Sequence, residues 1–139
     1  ENKGEFTLGK ADKLCDGSDV TIIACGLMVN TAYQAIKSKS LENISCRLLN
    51  MHTIKPIDKE AIICAAHETK AIVTLEEHSV IGGLASAVDE VVSENCPRRV
   101  IRLGIKDKFG QSGEPQELLK EYNLSEADIV SAVKRALAY

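Results

Sequence analysis

The sequence predicts an α/β fold: a mainly parallel sheet with helices on both faces. Three observations carry this. Short apolar runs rich in β-branched residues recur along the chain, segments with helical spacing follow them, and turn residues separate the two. Strands alternating with helices argue for strand–helix–strand crossovers, which are right-handed.

Ala11 to Cys15 reads as a short strand, and Asp16-Gly17-Ser18-Asp19 as the turn after it. Val20 to Cys25 is apolar and β-branched, too short for a helix, and reads as a buried parallel strand ended by Gly26. Val29, Ala32, Tyr33 and Ile36 then follow at helical spacing. Ser45 to Met51 is the next strand, and Pro56-Ile57-Asp58 starts a helix with Asp58 as its cap. Ala61, Ile62, Ala65 and Ala66 form that helix's apolar stripe. Ala71 to Leu75 is the clearest strand. The helix after it opens at Gly82-Gly83 and carries Leu84, Ala87, Val88 and Val91 on one face. Arg99 to Leu103 is the last strand. Glu114-Pro115 opens a short helix, and Ser125-Glu126-Ala127-Asp128 resembles a capping box before a stripe of Ile129, Val133, Ala136 and Leu137.

A length of 139 residues fits one domain, residues 1–139, with a core that removes roughly two thirds of the unfolded chain's surface from water. A hydrophobic share of 45% and a charged share of 27% place the chain among soluble globular proteins. The net charge of −3 predicts no nucleic-acid partner. No apolar run reaches membrane-span length, which predicts no membrane partner. No basic-then-apolar leader opens the chain, which predicts a cytoplasmic rather than an exported protein. The first residue is Glu1, not Met, so a longer parent is expected, with residues 1–8 as a linker remnant and Glu1 to Lys3 its loosest part. The five cysteines, Cys15, Cys25, Cys46, Cys64 and Cys96, are irregularly spaced and form no Cys-x-x-Cys. They read as buried, reduced thiols rather than a zinc site or a catalytic centre.

The candidate sites lie in loops after strands. Glu76-Glu77-His78-Ser79 follows the strongest strand, where open α/β sheets bind ligands. Two carboxylates and an imidazole there can do acid–base work; the plainer readings are an interface or positioning role, or an exposed polar loop whose charges are simply solvated. Gly82-Gly83 sits at a helix start whose N–H groups can hold an anion. It lacks the longer glycine pattern of a phosphate cradle, so close packing of helix on sheet is the favoured reading. His52 and Lys55 can face a partner or an anion, or simply belong to a loop stiffened by Pro56. His67 reads as a helix-end residue near the negative dipole. Phe109, an aromatic in the loop from Lys106 to Gly113, either anchors that loop or plugs into a neighbour.

Three motifs, in order, resemble the C-terminal domain of transketolases and their thiamine-diphosphate-dependent relatives. They are Met51-His52-Thr53-Ile54-Lys55-Pro56-Ile57-Asp58, then Glu76-Glu77-His78 with Gly82-Gly83, then Phe109-Gly110-Gln111-Ser112-Gly113. Asp19 to Gly26 is similar to the family's Asp-Val strand, and the first motif is most like transketolases encoded as two subunits. The resemblance spans about Gly9 to Leu137. It implies a three-layer α/β/α sandwich around a five-stranded, mostly parallel mixed sheet whose first strand is antiparallel.

The resemblance also implies a parent enzyme that moves a two-carbon ketol unit between sugar phosphates in the pentose phosphate pathway, using thiamine diphosphate and Mg. In the family those groups are held by the diphosphate- and pyrimidine-binding domains, the expected partners here, in a homodimer of the parent. The family's Gly-Asp-Gly motif does not occur; Asp16-Gly17-Ser18 lacks the leading glycine. No family catalytic, cofactor or metal residue can therefore be placed on this chain, and the isolated domain is expected to be non-catalytic. Glu76, Glu77, His78, Gly82, Gly83 and Phe109 remain as interface or positioning candidates. Two other readings stand beside this one. The chain resembles, more loosely, pyruvate dehydrogenase beta subunits and deoxyxylulose-phosphate synthases, where the domain would act as an interaction module. An independent nucleotide- or sugar-phosphate-binding protein would have only Gly82-Gly83 as its cradle.

Overall fold

The computed structural model describes residues 6–106 and 115–138. The expectations for Glu1 to Lys3, for Glu114 and for the loop carrying Phe109 lie outside the described residues. The five strands are β1 (Asp12–Cys15), β2 (Val20–Ala24), β3 (Cys46–Asn50), β4 (Ala71–Ser79) and β5 (Val100–Ile105). The helices are α1 (Met28–Lys37), α2 (Lys59–Glu68), α3 (Leu84–Asn95), α4 (Pro115–Glu121) and α5 (Glu126–Leu137). The strands form one sheet in the order β1-β3-β2-β4-β5, with β1 antiparallel to β3 and the other pairs parallel. The three-layer mixed sheet predicted above is therefore what the chain forms.

Both faces of the central strands are apolar, so successive residues enter opposite cores. Ile22, Leu48 and Val73 lie under α1 and α5, while their neighbours Ile23, Leu49 and Ile72 lie under α2 and α3. All six are at most 4% exposed, and burying each such side chain contributes about 1.5–3 kcal/mol. Pairing of α1 with α5 and of α2 with α3 completes the two outer layers.

The predicted caps form. Asp58 Oδ1 accepts from Ala61 N at 3.1 Å. Its other oxygen accepts from Ala11 N at 2.9 Å, so one cap also fastens the approach to the edge strand β1. Ser125 and Asp128 form the reciprocal capping box. Most strand boundaries fall within one residue of expectation, and two differ by more. β4 runs four residues past Leu75, and β5 runs on to Ile105 rather than stopping at Leu103. Gly17 makes the β1–β2 turn possible by close approach, since a Cβ there would overlap the backbone of Cys46.

Arg47 is the one buried cation among the described residues, at 7% exposed. It donates to Asp16 Oδ1 at 2.9 Å and pairs with Glu68 Oε2 at 2.6 Å, joining the first turn to the end of α2. Lys13, the Gly17 N–H and Arg47 together hold the Asp16 carboxyl down at about 2. Hydrogen bonds from Cys64 and then Arg47 hold Glu68 low as well. A carboxyl whose folded pKa is depressed adds stability above its unfolded value and loses it as pH falls through the folded one. Stability followed by urea denaturation is thus expected to decline as pH drops from about 4 toward about 2. The Arg47→Met variant should show a shallower decline over that window.

Candidate functional site

β2 feeds α1 on one face of the sheet, and its neighbour β4 feeds α3 on the other. The crevice outside the carboxyl ends of β2 and β4 is therefore the topological switch point, where ligands of open α/β sheets bind. Cys25 and Gly26 border it from β2, and Glu76 to Val80 from β4. Cys25 N donates to Leu75 O at 3.3 Å. Its side chain is half-buried, not fully buried as the sequence implied. Burial, then the potentials of Glu76 and Glu77, push its thiol up to about 11, so at neutral pH it is not a nucleophile. The other four cysteines are also free thiols, but only Cys46 is buried as expected; Cys15 and Cys96 are half-buried and Cys64 is exposed.

Glu76 corrects the expectation of an exposed polar loop. It lies inside β4 and is 0% exposed. Alternation places it on the α2/α3 face, with Ile72 two pairs earlier. There its Oε1 accepts from Leu84 N at 2.9 Å and Oε2 from Ala85 N at 2.8 Å. The first N–H groups of α3 have no partner inside the helix, and the carboxyl group supplies one where the dipole favours an acid. The surroundings are shaped to it. A Cβ at Gly83 would overlap Glu76 Oε1 and sit 2.8 Å from Ser79 O, and one at Gly104 would sit 3.1 Å from Glu76 Cγ. Between Leu75 and Ser79, β4 advances four residues while β5 advances two, a bulge that re-aims this stretch. Glu77 beside it is half-buried and His78 exposed.

Gly82 stands at φ +78°, a left-handed conformation that glycine adopts without penalty. Its N–H donates to Ser86 Oγ at 2.8 Å. With Leu84 and Ala85 already bonded to Glu76, this turn offers no set of free N–H groups to a diphosphate. Among the described residues no three His, Cys, Asp or Glu side chains converge on a metal position. Among the described residues the Gly82-Gly83 turn does not fit a diphosphate or sugar phosphate, because the helix start it opens is satisfied by Glu76.

Two of the predicted motifs do meet. Lys55, Pro56 and Ile57 form one wall of an open cleft of about 470 Å³, and Gly82, Gly83 and Ser86 of α3's start form the other. His52, at the carboxyl end of β3, bonds Thr53 Oγ1 through Nδ1 at 2.9 Å and lies 4.5 Å from the Phe6 ring. His67 is remote from this edge: it closes α2, with Nδ1 3.6 Å from Cys96 Sγ. Phe109 lies outside the described residues. Sequence reasoning missed the switch-point position of Cys25 and the buried role of Glu76. Gly83 directly before an apolar stripe, with no Ser, Thr, Asp or Asn cap, was the available signal that a cap came from elsewhere.

No helix among the described residues is long and apolar enough to cross a membrane. The chain matches the family model "Transketolase, C-terminal domain" over residues 9–129. It is 46% identical over 128 residues to the 6-deoxy-6-sulfo-D-fructose transketolase subunit of Clostridium sp. (strain MSTE9), covering 92% of this chain and 40% of that protein. It is 48% identical over 126 residues to one of the subunits of the apulose-4-phosphate transketolase of Phocaeicola vulgatus, covering 90% and 40%. A solved structure described as a split gene transketolase, inactive beta4 tetramer, superposes with a TM-score of 0.92 at 46% identity, covering 99% of this chain and 45% of that one. The chain thus spans about 40% of the length of these curated relatives.

Replacing Glu76 by Ala removes two hydrogen bonds and leaves two buried donors, which should cost about 2–4 kcal/mol in urea denaturation. Amide exchange at Leu84 and Ala85 should accelerate before that of mid-helix Val88. Gly83→Ala should destabilise in the same range by displacing the same carboxyl.

Proposed function

The chain belongs to the transketolase C-terminal domain family, and on that premise we propose that it is the non-catalytic C-terminal domain of a split-subunit transketolase. The observation that carries this is its identity of 46% and 48% to two transketolase subunits, across at least 90% of its own length. The parent enzyme transfers a two-carbon ketol unit between sugar phosphates. Thiamine diphosphate and Mg belong to the parent's other domains or subunits, which are this chain's partners. The self-satisfied start of α3 supports that division, because it leaves the glycine turn without a diphosphate site.

Residues 1–139 act as one domain, with residues 1–8 a linker remnant; the family match beginning at residue 9 supports that boundary. Glu77, His78 and Gly82 serve at an interface between domains, and Glu76 and Gly83 position the start of α3 that borders it. Self-association of the parent is supported by the 46%-identical relative described as an inactive beta4 tetramer. Five free thiols support a reducing, cytoplasmic setting. A place in the pentose phosphate pathway would require xylulose 5-phosphate and ribose 5-phosphate as substrates.

Isothermal titration of the isolated chain with thiamine diphosphate and magnesium should give no saturable heat, and the chain should not turn over those two sugars. The complete subunit mixed with its companion should show ketol transfer. Tight cofactor binding by the isolated chain would overturn the assignment.

A further inference from the structure

A nucleophile and a base meet at the amino edge of the sheet, opposite the carboxyl edge. His67 lies in the last turn of α2, and Cys96 closes α3, its N–H donating to Val92 O at 3.0 Å. Both stand where a helix returns to the first residues of a strand, α2 to β4 and α3 to β5. Packing of α2 on α3 brings the two side chains together, with Cys96 Sγ 3.6 Å from His67 Nδ1. Cys96 is half-buried against the α2/α3 core and His67 is exposed, so a small molecule can reach the pair from solvent. Arg98 adds positive charge: its Nε donates to Ala66 O at 2.8 Å, which holds the guanidinium at the end of α2. Glu68, the acid next to His67, is paired with Arg47 at 2.6 Å. A reactive thiol needs a base within reach and a partly exposed, electropositive setting. Cys96 has all three.

The other cysteines are set differently. Burial drives the Cys25 and Cys46 thiols up to about 11. The Cys64 thiol is raised by its hydrogen bond to Glu68, and then by burial. Cys15 packs, half-buried, against the α1/α5 core.

We propose that Cys96 is a site of reversible mixed-disulfide formation with small disulfides of the glutathione class, with His67 as its base. His67 Nδ1 takes the proton from Cys96 Sγ, and the carbonyl end of α2 favours the imidazolium that results. The sulfur attacks one sulfur of the small disulfide, so a new S–S bond forms and the original one breaks. The departing thiolate takes the proton from the imidazolium and leaves as a thiol. Cys96 is oxidised and one half of the small disulfide is reduced, so no further oxidant is required. Excess thiol runs the exchange backwards, and in a reducing setting the adduct therefore follows the level of small disulfide. The 12 residues of α3 put about 18 Å between Cys96 and the helix start held by Glu76, so loading leaves that start intact. The site stands whether or not the chain serves a transketolase.

The test incubates the 139-residue chain with oxidised glutathione, quenches with acid and reads the occupancy of each cysteine by peptide mass spectrometry. Cys96 is expected to load at least about tenfold faster than Cys15, Cys25, Cys46 or Cys64. In the His67→Asn variant the rate at Cys96 should fall about tenfold or more while that at exposed Cys64 stays as it was. In urea the five rates should converge, because the preference belongs to the fold. Faster native loading at any other cysteine would overturn the proposal, and this arm needs no variant. An unchanged Cys96 rate in His67→Asn would also overturn it, since exposure alone would then account for the reaction.

Discussion

A carboxyl group with no exposure to water has to find donors inside the protein, and Glu76 finds them at the start of α3. Much of the local architecture follows from that requirement. The helix can begin at Leu84 without a side-chain cap of its own because the acid comes from the adjacent strand. Gly83 must lack a side chain because the acid occupies the space, and Gly104 because Val80 and the His78 carbonyl press on it, with the acid's Cγ just beyond. β4 must bulge against β5 to bring the residues from Glu76 to Ser79 around it. One hydrogen-bonded pair of contacts thus couples the central strand, the edge strand and the helix between them. At Gly83 the chain comes so close to the acid that a Cβ would overlap it, and an anion at the Leu84 and Ala85 N–H groups would have to displace Glu76.

The rest of the molecule is held by a simpler rule. Strands covered on both faces carry apolar residues in unbroken sequence, and alternation deals them to two cores. Polar links appear at the ends of elements, where backbone groups fall free. Asp58 caps α2 and at the same time bonds the backbone before β1. Arg47 reaches from β3 to the first turn and to the end of α2. These contacts fix the antiparallel edge strand, and with it the direction from which the chain approaches the sheet.

At the carboxyl edge the local chemistry is set by what the fold brings together. The Cys25 thiol is driven up by burial and by two acids, and the start of α3 is satisfied by Glu76. The exposed side chains there are mixed, with Leu27 and Ile81 beside Lys55 and His78. The chain as a whole corresponds to about 40% of the length of two transketolase subunits it resembles.

Local pattern alone determined a good deal: the alternation of strands and helices, the apolar stripes, the caps at Asp58 and Ser125, and the order of the motifs that mark the family. Each depends on neighbours within a few residues, so each is written in the chain. The stretch at Glu76 was not legible in that way. Glu-Glu-His-Ser after an apolar run has the composition of a solvated loop, and nothing nearby in sequence says that its first acid turns inward. Only the fold decides that, because the donors it meets lie eight and nine residues on, at the start of a helix whose position depends on the whole sheet. The same holds for the carboxyl edge. Phe6, Leu27, Ile54 and Ile81 are ordinary isolated apolar residues in sequence, and the antiparallel entry of β1 and the crossovers of β2, β3 and β4 gather them on one side.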